Sequence, residues 1–173
     1  IVQAVNDPVE QSYDALMFAG MLAGIGFGNA GCHLPHGMSY AVAGLVKDYS
    51  PEGWPNDHNM VPHGISVIVN SPAVFRKTGP ACAERHWRAA AAMGADLTDT
   101  KVEDGGEILA EQILGMMQKT GIPNGLSGVG YTIEDLDALT DRSFAQKRLI
   151  DNGPMPISRQ ELRELFSDAM TYW

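Results

Sequence analysis

Gly26-Phe27-Gly28-Asn29-Ala30-Gly31-Cys32-His33-Leu34-Pro35-His36-Gly37-Met38-Ser39-Tyr40 is the stretch on which the fold turns. Its glycines could be taken for a phosphate-binding loop, but no strand precedes them. Val9 to about Phe27 carries helical rather than alternating periodicity, so a dinucleotide-binding fingerprint is not supported. That apolar segment is expected to be a long helix, buried on most sides and central to the core. Gly20, Gly24 and Gly28 form a ladder along it that lets another helix or a ligand come close. A second helix is expected from His36 to about Lys47. Pro35 makes a helix through both His33 and His36 doubtful, and places His33 on the incoming turn.

The same periodicity continues outward. Tyr49 to Met60 is a polar loop with Pro51, Gly53, Pro55 and Asn56. Pro62 suits a helix's first turn and His63 follows it, opening a helix to about Phe75 with a bend at Pro72. Ile65 to Val69 is β-branched, but no partner strand alternates with it, so it stays helical. Ala81 to Met93 ends at Gly94, and amphipathic Asp104 to Lys119 ends at Gly121. The apolar stripe of the latter is Ile108, Leu109, Ile113, Leu114, Met116 and Met117. Thr132-Ile133-Glu134-Asp135 opens a short helix. Ser158-Arg159-Gln160-Glu161 is a capping box whose helix should reach Tyr172. The prediction is one all-α domain over residues 1–173, without repeats, low-complexity tracts or a dividing linker.

With 173 residues, 45% of them hydrophobic and 19% charged, the chain is ordered and large enough for a real core. Its net charge of -9 argues against a nucleic-acid partner, which needs clustered Lys and Arg. Two cysteines, Cys32 and Cys82, exclude a disulfide framework. Ala15 to Val46 lacks Asp, Glu, Lys and Arg, yet Asn29, His33, Pro35, His36, Ser39 and Tyr40 interrupt it. A membrane span wants about 20 consecutive apolar residues, so no membrane segment is expected. Ile1 to Val5 reads as the end of a helix already under way, as in a piece of a longer protein.

His33, His36 and His63 carry the most chemistry. Neutral imidazole binds zinc or ferrous iron, and two histidines on facing helices make half of a four-ligand site. From spacing alone, each reads more readily as a hydrogen-bonded core histidine. Asp57 and His58 lie in the polar loop and either complete a local site or are simply solvated. His86, between Arg85 and Trp87, is expected at the surface. Cys32 beside His33 does not by itself make a nucleophile and reads as a small buried or pocket-wall residue.

The Gly26–Tyr40 run, with Val61-Pro62-His63-Gly64, closely resembles the iron-dependent (group III) alcohol dehydrogenase family. The resemblance continues through Glu84-Arg85-His86, Met93-Gly94-Ala95, Gly121-Ile122-Pro123 and Val129-Gly130-Tyr131 to Tyr172-Trp173. It covers essentially the whole chain. The His33–Tyr40 run and the long insert between the two His-Gly motifs resemble the hydroxyacid–oxoacid transhydrogenase branch.

The resemblance implies the helical C-terminal domain of the dehydroquinate synthase-like, iron alcohol dehydrogenase fold. It implies His36 and His63 as two of four ligands to a divalent metal, Fe2+ or Zn2+. The other two, an Asp and a His, would precede Ile1, as would the domain that binds most of NAD(P). Phe27 matches a position lining the substrate pocket, beside Cys32. Tyr40 stands where many members carry a second histidine near the nicotinamide. A phenol, with an intrinsic pKa of about 10, is the poorer proton shuttle near neutrality, so Tyr40 would instead hydrogen-bond substrate or cofactor. The implied partners are a small alcohol or hydroxy acid, the nucleotide-binding domain, and a homodimer mate on any interface left open. The implied location is cytoplasmic in a bacterium and the mitochondrial matrix in a eukaryote. The implied enzyme is an oxidoreductase of which this segment alone is inactive. The competing expectation is a free-standing helical metal-binding or interaction module using His33, His36, His63 and Asp57 or His58.

Overall fold

The computed structural model describes residues 1–55 and 57–173. Asn56, assigned from sequence to the polar loop, lies outside the described residues. Ten α-helices and four short 3-10 turns make up the regular structure of the described residues, and no strand occurs among them. In order the helices are α1 (Val2–Asn6), α2 (Glu10–Ala30), α3 (Leu34–Gly44), α4 (His63–Ile68), α5 (Ser71–Thr78), α6 (Ala83–Ala92), α7 (Gly105–Lys119), α8 (Leu136–Phe144), α9 (Lys147–Ile150) and α10 (Arg159–Asp168).

The body is a ring of packed pairs. α7 lies against α5 and α6, α5 against α10, α10 against α8, and α8 against α3, while α4 sits against α3 and α5. Each helix contributes one apolar stripe to a shared core. α3 gives Leu34, Met38 and Val42, α7 gives Leu109, Ile113 and Met117, and α10 gives Leu162, Leu165 and Phe166. Tyr131 is buried among them and donates its hydroxyl to the Val42 carbonyl at 2.6 Å. Burial pushes that phenol up to about 12, so it stays a donor.

Local signals explain most boundaries. Gly94 and Gly121 follow their helices at φ 91° and 69°, a region open to glycine at little cost. At Ser158 the capping box forms in both directions: the Glu161 amide donates to Ser158 Oγ at 3.2 Å, and the Ser158 amide donates to Glu161 Oε2 at 3.0 Å. Thr132 opens its turn in the same way, its amide donating to Asp135 Oδ2 at 2.9 Å.

Three expectations need correction. The helix opened by His63 does not run through to Phe75. It breaks at Val69–Asn70, and Pro72 sits in the first turn of the next helix, where its missing N–H costs nothing. The last helix stops at Asp168 instead of reaching Tyr172. Beyond it the chain is recruited by residues 124–127: the Leu126 amide donates to the Ala169 carbonyl at 2.9 Å, and the Tyr172 amide to Asn124 Oδ1 at 2.7 Å.

The third correction is the largest. α2 is helical as expected but is not central to the core, since none of its 21 residues is buried. Met17 is 77% exposed and Phe18 60%. α2 makes a 107° bend with α3 and so leaves the body behind it. It packs beside α1, and its end is tied down by Asn152, whose amide nitrogen donates to the carbonyls of Ala30 and Cys32 at 3.1 Å each. Cβ atoms placed on Gly20, Gly24 or Gly28 would meet nothing within 4 Å, so among the described residues the small-residue ladder has no helix against it. No single helix among the described residues is long and apolar enough to cross a membrane.

Between α3 and α4 the chain makes a long excursion with a closed neck. The Met60 amide donates to the Tyr49 carbonyl at 2.8 Å, and the Asn59 side chain donates to the Lys47 carbonyl.

Candidate functional site

His36 lies in the first turn of α3 and His63 opens α4. The packing of these helices brings the two rings to 5.4 Å between centroids, tilted by 55°. Each histidine is followed by glycine and, three residues on, by a buried serine. Ser39 Oγ donates to the His36 carbonyl and Ser66 Oγ to the His63 carbonyl, both at 2.8 Å. The two first turns are therefore built alike. This His-Gly-x-Ser repeat, spelled by Ser39 and Ser66, was visible in the sequence but was not used there.

Burial, and then the neighbouring His63, push His36 below the ordinary histidine range. It is neutral near pH 7, with a ring nitrogen lone pair available. A pair of imidazoles suits zinc or ferrous iron. They are a partial set, because protein sites normally use three or four ligands. Among the described residues no group of three or more His, Cys, Asp or Glu side chains comes together to hold a metal. The donor chemistry of the pair thus fits part of a divalent-metal site.

The local-module alternative finds no such cluster. Asp57 and His58 pair with each other at 2.9 Å and are largely exposed. His33 caps α3, and its ring faces Phe75 at 6.2 Å. Tyr40 follows His36 by one helical turn, hence on neighbouring surface, and is 49% exposed. Cys32 is half-buried in the α2–α3 link, its carbonyl held by Asn152. Phe27, near the end of α2, is exposed.

His86 is not a surface residue. It is 6% exposed, with Nε2 at 3.1 Å from Thr78 Oγ1 and Nδ1 at 3.1 Å from Cys82 Sγ. Phe75 meets it edge-on at 5.3 Å. Burial pushes the Cys82 thiol up, with Arg85 opposing. Cys82, His86 and Ala90 recur at four-residue spacing, and that periodicity was the signal for the inward face of α6.

Two cavities are lined by histidines singled out from the sequence. One, of about 500 Å³, is lined by His33, Phe75, Cys82, Arg85, His86 and Asn152, among others. The other, about 690 Å³ and more apolar, is lined by His63 together with Trp54, Ile65 and Met117.

Residues 1–170 match the Fe-containing alcohol dehydrogenase family, C-terminal. Over 169 residues the chain is 44% identical to the mitochondrial hydroxyacid-oxoacid transhydrogenase of Xenopus laevis, covering 97% of this chain and 36% of that protein. The Homo sapiens protein of the same name is 40% identical over the same shares. The chain thus spans 36% of the length of these curated relatives. Among solved structures, a 1,3-propanediol oxidoreductase superposes with a TM-score of 0.83 at 25% identity, over 97% of this chain and 41% of that one. An alcohol dehydrogenase from Oenococcus oeni shares the fold, with a TM-score of 0.84 at 21% identity over 97% of this chain and 40% of that one. Fold, motif order and sequence identity agree: the chain belongs to the iron-containing alcohol dehydrogenase family and corresponds to its C-terminal, helical part.

Proposed function

We propose that this chain is the metal-binding, substrate-facing part of an enzyme that transfers hydride between a hydroxy substrate and a nicotinamide nucleotide. The observation that carries the proposal is the pairing of His36 and His63 on two similarly built first turns. The transhydrogenases that the chain resembles point to hydroxy and oxo acids as substrates.

His36 and His63 would hold the metal, Fe2+ or Zn2+, with further ligands from outside this chain. When bound, a divalent metal supplies Lewis acidity that polarises a substrate oxygen and lowers the pKa of an alcohol. Ser39 and Ser66 tie down the backbone of the two histidine turns, so the rings need little reorganisation to bind. Tyr40, one turn beyond His36, can hydrogen-bond substrate or cofactor as a positioned hydroxyl. Phe27 and Cys32 supply pocket wall, with Phe27 giving apolar surface that excludes water once covered. NAD(P) would be bound mainly by protein outside this segment, and the segment alone would be inactive. The relatives named mitochondrial favour the mitochondrial matrix if the source is a eukaryote, and the family reading favours the cytoplasm if it is a bacterium.

The test is metal content and turnover in the full-length protein. His36→Ala and His63→Ala are each expected to weaken metal binding by at least about a hundredfold and to abolish nucleotide-dependent oxidation. Full metal occupancy in the double variant would overturn the assignment.

A further inference from the structure

The cavity of about 500 Å³ beside His33 has the size of a small-ligand pocket. Asp and Glu outnumber Lys and Arg by 21 to 12 over the whole sequence. No Asp or Glu lines this cavity or the more apolar one beside His63, but Arg85 lines this one alone of the two. Arg76, Arg159 and Arg163 each hold a carboxylate, at 2.7, 2.7 and 2.9 Å. Arg85, like Arg88, Arg142 and Arg148, has no carboxylate partner among the described residues, and of these four it is the one that lines the cavity. His33 adds a second donor or acceptor. Its Nδ1 is buried without a hydrogen-bond partner among the described residues, on a side chain that lines the cavity. That atom is sealed from the cavity, so the remaining edge of the ring, not Nδ1, is what a ligand there would meet.

The position fits as well as the chemistry. His33 caps α3, and the His36 amide donates to the His33 carbonyl at 2.9 Å, so the cavity begins one turn from the histidine pair. Phe75, Ala89 and Leu109 give it an apolar side. Asn152 is occupied: its amide nitrogen already donates to Ala30 and Cys32.

We propose that this cavity is the subsite for the substrate's carboxylate, with the Arg85 guanidinium and the His33 ring as its recognition groups and the Phe75–Leu109 side receiving the carbon chain. The inference rests on the hydroxy-acid reading above and assigns the acid end of that substrate. Arg85 and His33 act as binding groups. The hydroxyl end is left to the histidine pair.

The experiment uses the full-length protein and butanoate as a carboxylate probe without a reacting hydroxyl, with binding measured by calorimetry. Losing a charge-assisted pair is expected to weaken butanoate binding about tenfold to a hundredfold in Arg85→Gln. Arg85→Lys should recover part of it, because the charge returns without the two-pronged geometry. Arg85 is exposed, so neither change disturbs the core. The same variants should lower kcat/KM for glycolate and its longer ω-hydroxy homologues by a similar factor, mainly through KM. Butanoate binding that stays within about twofold of wild type in Arg85→Gln would overturn the subsite while leaving the reaction intact. Inorganic phosphate binding more tightly than butanoate would also overturn it, by assigning the cavity to a phosphate. Butanoate binding that depends on Arg85 in a protein that oxidises no hydroxy acid would sustain an anion site and sink the reaction proposed above.

Discussion

α2 and α7 are the two longest helices of the molecule, at 21 and 15 residues, and they have opposite fates. α7 is amphipathic, and its stripe of Leu109, Ile113 and Met117 is buried against α5 and α6. α2 is apolar nearly all round and buries nothing. Hydrophobic content says how much cover a helix wants, whereas a stripe says from which side it will come. α7 announces a single packing direction and finds it inside the chain. α2 announces none, and the described residues fully bury none of its side chains. Because the chain spans 36% of its relatives' length, cover supplied by further sequence is the natural reading of α2.

The sharpest test on the α7 side of this contrast lies in the core that α7 shares. Phe166 is fully buried on α10, and Phe166→Ala should cost about 3–5 kcal/mol in urea denaturation. A cost below about 1 kcal/mol would mean the ring of helices is loosely packed. Next comes a polar tie within the same body. Tyr131→Phe removes the donor to Val42 and should cost about 1–3 kcal/mol, readable in the same assay.

Smaller still is the cap of α10. Ser158→Ala should cost about 1 kcal/mol, or about 2–4 °C in Tm. It also carries a pH signature. The Lys77 ammonium first, then the Ser158 amide and hydroxyl, push Glu161 down to about 2 from an ordinary 4.5. A depressed carboxylate contributes stability above its unfolded value, and loses it as pH falls through its folded one. Wild type should therefore lose Tm more steeply than Ser158→Ala between those two pH values. Parallel profiles would show that the cap leaves Glu161 unperturbed.

The smallest effect belongs to α2. In this chain Met17→Ala should change stability by less than about 0.5 kcal/mol, because the side chain loses no packing. In the longer protein the same change should cost about 2 kcal/mol or more if α2 is covered there. Equal costs in both would erase the contrast.

Where one face of a helix decides its environment, the sequence was readable. α7, the Ser158 box, the glycine stops after α6 and α7, and the His63 start all follow from spacing. The failures came where a distant partner decided. Nothing local to Ser167–Tyr172 says that Asn124 and Leu126 will take over its hydrogen bonds. His86 was misjudged because its charged and aromatic neighbours outweighed the four-residue rhythm from Cys82. At the site, the His-Gly motifs singled out His36 and His63, but only folding puts their rings side by side. The cavity at His33 and Arg85 joins residues 52 positions apart and had no sequence signature.

The closed neck of the α3–α4 excursion has an evolutionary consequence. Because residues 47–49 are fastened to residues 59–60 at its base, the length of the span between them does not set the separation of the two histidines. Away from Trp54, which lines the cavity beside His63, its length is free to drift, since an insertion there adds a little loop entropy and leaves the neck closed. A lineage can elaborate this segment, as the long insert here suggests, without renegotiating the spacing of the histidine pair.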